Sequence, residues 1–356
     1  MKFETTTTML QVLVSKAIKG AGFNKLLPIT SMIGIYVDDK INLYTTDGSN
    51  YLEISGDVVK ADDFDITVDA DTFAKLVSKL TSDTVTLEVK DNILIITGNG
   101  TYKLPLQMSD DGTPLKFPNR NDNNLEVETI GELPQAAINY MVMSLKPSLS
   151  TNVSSVYSNY FVGEFLASTD RAMMCICDRA SFDKPMLFSR EFVDLLALAG
   201  SDVKLGIRSC DDMIIALADG FVVQAKPVDG VDDYNVDGLK KLLNLELNSF
   251  CRVNKKALLS LLDRLSIFVG AYDDESIQIH FTDGAMEISS MSSDGVESID
   301  YMEYSNFKEH TVKINVNRLI TLLKAYASDF VDIYYGDNMC IKFVDGHLTE
   351  LLALMR

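Results

Sequence analysis

The chain repeats one helix–strand block three times. An amphipathic segment recurs as Thr72-Phe73-Ala74-Lys75-Leu76-Val77, as Glu191-Phe192-Val193-Asp194-Leu195-Leu196 and as Arg318-Leu319-Ile320-Thr321-Leu322-Leu323. Nine residues after Phe73, Phe192 and Leu319 comes the same dipeptide: Ser82-Asp83, Ser201-Asp202 and Ser328-Asp329. An alternating strand pattern follows each time. It puts Val85, Leu87 and Val89, then Val203, Leu205 and Ile207, then Val331, Ile333 and Tyr335 on one face. The copies lie 119 and 127 residues apart, a common domain size. A 356-residue chain with this repeat reads as three domains of one architecture.

Each third divides into two helix-plus-strands halves. The first-half helices are expected at residues 9–20, 133–146 and 253–269, and the second-half helices at 71–80, 190–199 and 316–327. Apolar residues recur there at three- and four-residue spacing, as in Leu10, Leu13, Val14, Ala17 and Ile18. Short alternating strands between them close on turn pairs such as Asp38-Asp39, Asp91-Asn92, Asp283-Gly284 and Asp337-Asn338. Two polar stretches, 109–124 and 227–238, read as linkers. Short helices among many strands with polar turns imply an α+β fold, antiparallel sheets with helices on one face.

At 47% hydrophobic residues, each copy can bury a core. No stretch approaches the ~18 apolar residues of a membrane span, and MKFETTTTML lacks the form of a signal peptide. A soluble, cytoplasmic protein is expected. The five cysteines form no pattern: Cys175 and Cys177 share one strand face, and His280, His310 and His347 are each remote in sequence from any other His or Cys. Buried, reduced thiols and no metal site are the expectation.

The net charge of −19 argues at first against nucleic acid. Its distribution reverses that. The six expected helices hold eleven cations, namely Lys16, Lys19, Lys75, Lys79, Lys146, Arg190, Lys255, Lys256, Arg264, Arg318 and Lys324. They hold only four acids: Asp71, Glu191, Asp194 and Asp263. The helices thus carry +7 and the rest of the chain −26, one positive surface within a negative shell.

Catalytic signatures are missing. There is no G-x-x-x-x-G-K-[ST] loop, no H-E-x-x-H and no G-x-S-x-G elbow, and Gly98-Asn99-Gly100 reads as a hairpin turn. The acids Asp62, Asp63, Asp65, Asp69 and Asp71 read as a solvated rim. A protein that is not an enzyme is therefore expected, without cofactors. The competing reading is a hydrolase or metal-dependent enzyme with a carboxylate site in a cleft between repeated domains.

Several short stretches, in order and spacing, carry a resemblance over nearly the whole chain. They are Met1-Lys2-Phe3, Leu27-Pro28-Ile29, Ser168-Thr169-Asp170-Arg171, Val228-Asp229-Gly230 followed by Asp233-Tyr234, and the ending Met355-Arg356. With the triple repeat, they resemble the bacterial-type DNA polymerase sliding clamp, the beta subunit of the replicative polymerase. The resemblance implies three similar clamp domains, here 1–118, 125–243 and 244–356, each with two helices on the inner face. It implies that two subunits close head to tail into a ring around duplex DNA. Crude geometry agrees: twelve helices at roughly 9 Å spacing close a circle about 34 Å across, leaving a hole of roughly 24 Å. Six helices would leave only about 7 Å. A two-domain clamp closing as a trimer does not suit three repeats.

The resemblance also implies sites. Lys16, Lys19, Lys75, Lys79, Lys146, Lys255, Lys256, Arg264, Arg318 and Lys324 would face double-stranded DNA, touching phosphates without sequence preference. Tyr102 and Leu104 would meet Phe268 and Val269 of a second copy. A partner-peptide pocket would use Thr169, Met173, Met174, Leu239, Leu243, Leu351, Leu352, Leu354, Met355 and Arg356, serving a replicative polymerase and a clamp loader. Here the chain departs from the family. Arg171-Ala172-Met173 replaces the usual Gly-His-Arg, and the end lacks the usual Pro and final Leu. These departures point to a divergent member, such as a phage-encoded one, with its own preferred peptide.

Overall fold

The computed structural model describes residues 2–58, 60–62, 64–118, 127–269, 275–282, 284–291, 297–303 and 308–355. The chain forms two compact units, Met1–Gln135 with Glu191–Pro227, and Ala136–Arg190 with Val228–Arg356.

The first unit holds two antiparallel sheets. One has five strands in the order Lys60–Ala61, Lys2–Thr6, Thr84–Lys90, Ile93–Thr97, Thr101–Pro105. The other has eight: Val127–Leu133, Val203–Arg208, Ile214–Ala218, Phe221–Ala225, Asn50–Asp57, Lys40–Thr46, Met32–Val37 and Phe64–Asp69. The second unit repeats the plan. Its eight-stranded sheet runs Met186–Phe188, Tyr160–Val162, Leu166–Thr169, Met173–Cys177, Leu348–Ala353, Cys340–Asp345, Phe330–Tyr335, Ser249–Asn254. Its four-stranded sheet runs Glu297–Glu303, Ala285–Met291, Ser276–Phe281, His310–Asn315. Strands of the middle third therefore complete a sheet in each unit.

Seven α-helices are found among the described residues: α1 Thr7–Ala17, α2 Ala70–Val77, α3 Gln135–Tyr140, α4 Arg190–Leu196, α5 Val236–Leu243, α6 Lys255–Leu265 and α7 Val316–Ala325. Four of them start directly from a strand whose last residue is the N-cap. Thr6, Asp69, Asn254 and Asn315 accept the amides of Met9, Thr72, Ala257 and Arg318. The repeated Ser-Asp dipeptide has a partner role. The first amide of α1 donates to the Asp83 carbonyl at 3.0 Å, and that of α6 to the Asp329 carbonyl at 2.9 Å. In the middle third, the first amide of α3 donates to the Asp202 carboxylate at 2.8 Å. Each dipeptide thus satisfies an otherwise orphaned helix amide.

Helix faces then follow the apolar period. Leu10, Leu13, Val14 and Ala17 of α1, Phe73 and Val77 of α2, and Leu319, Ile320, Leu322 and Leu323 of α7 are buried. Each such Leu, Ile, Val or Phe side chain contributes roughly 1.5–3 kcal/mol through burial, and Ala17 less.

Three expectations are corrected. The helix expected over 133–146 starts only at Gln135, since Leu133 ends a strand, and beyond Tyr140 it passes into a π turn, Met141–Leu145, where the Lys146 amide donates to the Met141 carbonyl ahead of Pro147, which has no amide to give. The stretch 227–238 is more than a linker. It carries a 3-10 turn, Val231–Asp233, and the start of α5, whose Asn235 cap accepts the Gly238 amide at 3.0 Å. Four cysteines are buried free thiols, but Cys210 is exposed, in the turn between Val203–Arg208 and Ile214–Ala218.

In the second unit, Glu350 pairs with Cys175 across adjacent strands and is only 1% exposed. Among the described residues neither carboxylate oxygen has a hydrogen bond of good geometry, although the Cys175 thiol and Tyr326 hydroxyl lie beside it. Burial lifts its pKa to about 8, against a weaker opposing pull from the neighbouring Cys175 thiol and Tyr326 hydroxyl. The folded protein therefore keeps a proton that the unfolded chain releases above about pH 4.5. Stability from this residue is full below that pH and is lost as the pH rises toward about 8. Glu350→Gln should gain stability over the parent steadily from pH 5 to pH 8 in urea unfolding. A difference independent of pH would contradict this assignment.

Candidate functional site

In the first unit, α1 and α2 lie side by side, joined by Gln11, whose amide donates to the Val77 and Leu80 carbonyls at 3.0 and 2.9 Å. The groove between them is lined by Thr8, Ser15, Lys19, Lys75 and Ser78 among others. Lys19, Lys75 and Lys79 are exposed and Lys16 is half-buried; Lys75 is shared with Asp71 at 2.6 Å. In the second unit, α6 and α7 pack together and expose Lys256, Arg264 and Lys324. Lys146 is half-buried, and the Lys255 ammonium donates to the Tyr326 carbonyl at 2.6 Å. Each helix pair thus presents a group of cations, some of them, such as Lys75 and Lys255, engaged by neighbouring oxygens, whose charges add to one field.

Arg318 is placed differently from the other cations read as facing DNA. Its guanidinium donates to Asp170 at 2.5 Å. Asp170 also accepts the amides of Ala172 at 2.9 Å and Met173 at 2.6 Å. Arg318 therefore braces the turn between Leu166–Thr169 and Met173–Cys177, which forms the rim of a pocket.

That pocket, of about 650 Å³, is lined by Tyr157, Thr169, Arg171, Ala172, Met173 and Met174 from the middle third. Asn235, Gly238, Leu239, Lys241 and Leu242 come from the α5 segment, and Asn338–Cys340, Leu351, Ala353 and Leu354 from the end of the chain. Strand alternation turns Met174 and Leu351 toward it and the cross-strand pair Cys175 and Glu350 away. Beneath lies a core of Phe161, Phe165, Met174, Tyr234, Leu239 and Leu351, against which Leu243 packs half-buried. Leu352 is buried outside the lining, and the Met355 amide donates to the Lys313 carbonyl at 2.7 Å. Arg356 lies outside the described residues. Sequence reasoning missed Tyr157, Lys241, Leu242 and Met339: the first lies in a 3-10 turn, the next two on α5, whose start reads as a linker, and the last in a turn before Cys340–Asp345.

The rim turn holds a non-glycine residue in left-handed backbone. Arg171 has φ +76°, a conformation that costs a side-chain-bearing residue about 1–2 kcal/mol. Its amide donates to the Thr169 hydroxyl at 3.0 Å, and its guanidinium carbon sits 5.0 Å from the Tyr157 ring centroid.

Of the residues read as an interface, Tyr102 and Leu104 lie on an open sheet edge, and Phe268 and Val269 in the segment after α6. Thr101–Pro105 is an edge strand of the first unit, with Tyr102 36% exposed and Leu104 half-buried. After α6 in the second unit, Phe268 is 42% exposed, Val269 half-buried, and Ile267, missed in the sequence, 79% exposed. Among the described residues, no three of His, Cys, Asp and Glu are placed to hold a metal, and no helix is long and apolar enough to cross a membrane.

Comparison with solved structures decides the fold. The DNA polymerase sliding clamp of Bacillus subtilis superposes with a TM-score of 0.85, covering 100% of this chain and 99% of that one at 17% identity. The chain has the sliding-clamp fold. The DNA polymerase III subunit beta of Pseudomonas aeruginosa gives a TM-score of 0.84 at 17% identity, covering 100% of both chains. That of Thermotoga maritima gives 0.84 at 14%, covering 100% of this chain and 99% of that one. By sequence, residues 1–115 match the DNA polymerase III beta subunit, N-terminal domain. None of the curated proteins matches the chain by sequence. Within this clamp fold, Arg318→Ala should cost about 1 kcal/mol and speed hydrogen exchange at the Ala172 and Met173 amides. Unchanged exchange there would show that Asp170 holds the turn unaided.

Proposed function

We propose that this protein is a DNA polymerase processivity factor, a non-enzymatic clamp that encloses duplex DNA as a head-to-tail homodimer. The observation that carries this reading is the segregation of charge. Cations collect on the helix pairs of both units while the whole chain carries −19. A clamp needs such a surface, because it must be drawn to phosphates without gripping bases. The clamp fold across the whole chain and the match of residues 1–115 support the reading. The three-domain division at 1–118, 125–243 and 244–356 belongs to the same proposal, supported by the threefold recurrence of the Ser-Asp clasp at a helix start.

The dimer would close by strand addition, the edge strand Thr101–Pro105 of one copy meeting the edge strand Glu297–Glu303 of the other. Tyr102 and Leu104 would then pack on Phe268 and Val269. The protein should remain on nicked circular DNA through a salt wash and slide off once the circle is cut. Equal loss from circles and linear DNA would exclude topological binding. Phe268→Asp should convert the dimer to monomers by light scattering and abolish retention on circles; a fully dimeric variant would place the interface elsewhere.

The partner site would be the apolar pocket, whose Met and Leu lining adapts to apolar anchors of a polymerase or clamp-loader peptide. Ala353 is the last residue of a strand, so a point change tests the site more cleanly than a truncation. Leu354→Asp should remove stimulation of the cognate polymerase at least tenfold while the dimer persists. Full stimulation would put the partner elsewhere.

A further inference from the structure

The charges around the apolar pocket are sorted. Among its lining residues the charged ones are Arg171 and Lys241, both cations, in a chain of net charge −19. A neighbouring groove of about 580 Å³, which shares Asn235 with the pocket, is lined by Glu164, Asp183, Asp232 and Asp237. Lys240 is held by Glu164 of this groove at 2.5 Å. The charged lining residues therefore change sign across Asn235.

Arg171 is the more informative cation. The turn it occupies is built by other groups, the Thr169 hydroxyl and the Asp170 carboxylate, and its left-handed backbone suits glycine better. The backbone thus gives no reason for arginine here. The side chain does. Stacked over Tyr157, itself part of the lining, the guanidinium is held in place at the pocket mouth with its donors available to a fork-shaped acceptor. Strain retained at a binding rim points to a role for the strained residue.

We propose that Arg171 is a specificity-determining residue that selects a linear apolar segment carrying a carboxylate. The Asp or Glu of that segment sits between Arg171 and Lys241, and its apolar side chains enter between Met174, Leu239, Leu351 and Leu354. The acidic groove beyond Asn235 repels the carboxylate and so fixes which end of the segment lies there, selection by repulsion as well as attraction. This inference rests on the pocket being the partner site.

Two fluorescein-labelled peptides test it, Gly-Leu-Glu-Phe-Leu-Gly and its Gln counterpart, titrated with the full chain by fluorescence polarisation at low and high salt. The Glu peptide should bind about tenfold tighter, and salt should shrink the difference. In Arg171→Gly the two affinities should converge on that of the Gln peptide, with a melting temperature no lower than the parent. Arg171→Lys should keep part of the preference. Equal binding of both peptides by the parent overturns the acidic preference and leaves the pocket standing. A Gly variant that melts several degrees lower makes Arg171 a structural residue and overturns it as well. Binding of neither peptide removes the pocket reading, and this inference with it.

Discussion

Everything at the candidate partner site depends on one strand pairing, Met173–Cys177 against Leu348–Ala353. It joins residues some 175 positions apart into a continuous sheet, with Met174 opposite Leu351 and Cys175 opposite Glu350. Side chains alternate across a sheet, so a slip of one residue would send Glu350 into the pocket and Leu351 to the opposite face. The apolar pocket, the buried carboxyl and the rim turn are thus consequences of a single register. A matching seam in the first unit pairs Phe221–Ala225 with Asn50–Asp57.

Around these seams the same local device recurs. A strand ends in a residue that caps the following helix, and a distant Ser-Asp turn takes up the helix's first amide. The device fixes where each helix begins without a connecting loop. That is how cations spaced along the sequence come to share a surface: Lys19 and Lys75 line one groove, while α6 and α7 present Lys256 and Lys324.

Much of this was legible in the residues. The recurring Ser82-Asp83, Ser201-Asp202 and Ser328-Asp329 marked the copies, and the buried stripe Leu10, Leu13, Val14 and Ala17 followed its helical period. Helix ends were less visible, since Asn254 and Asn315 act through side-chain bonds that periodicity does not register. The helix α5 was masked by Gly238 and nearby acids, although Asn235 and the spacing of Leu239 and Leu243 were its signals. The engagement of Arg318 with Asp170 could not be read at all. It spans 148 residues and depends on α7 lying beside the rim turn, which only tertiary packing decides.

The threading of the chain has a consequence for its birth. Residues 136–190 interrupt the first unit, which lacks the strands 203–225 until they emerge. The strand Met173–Cys177 finds its partner only at Leu348–Ala353, some 175 residues later. Until that partner is made, an apolar strand carrying two thiols stands with one margin open. A nascent chain in that state is a template for adventitious pairing.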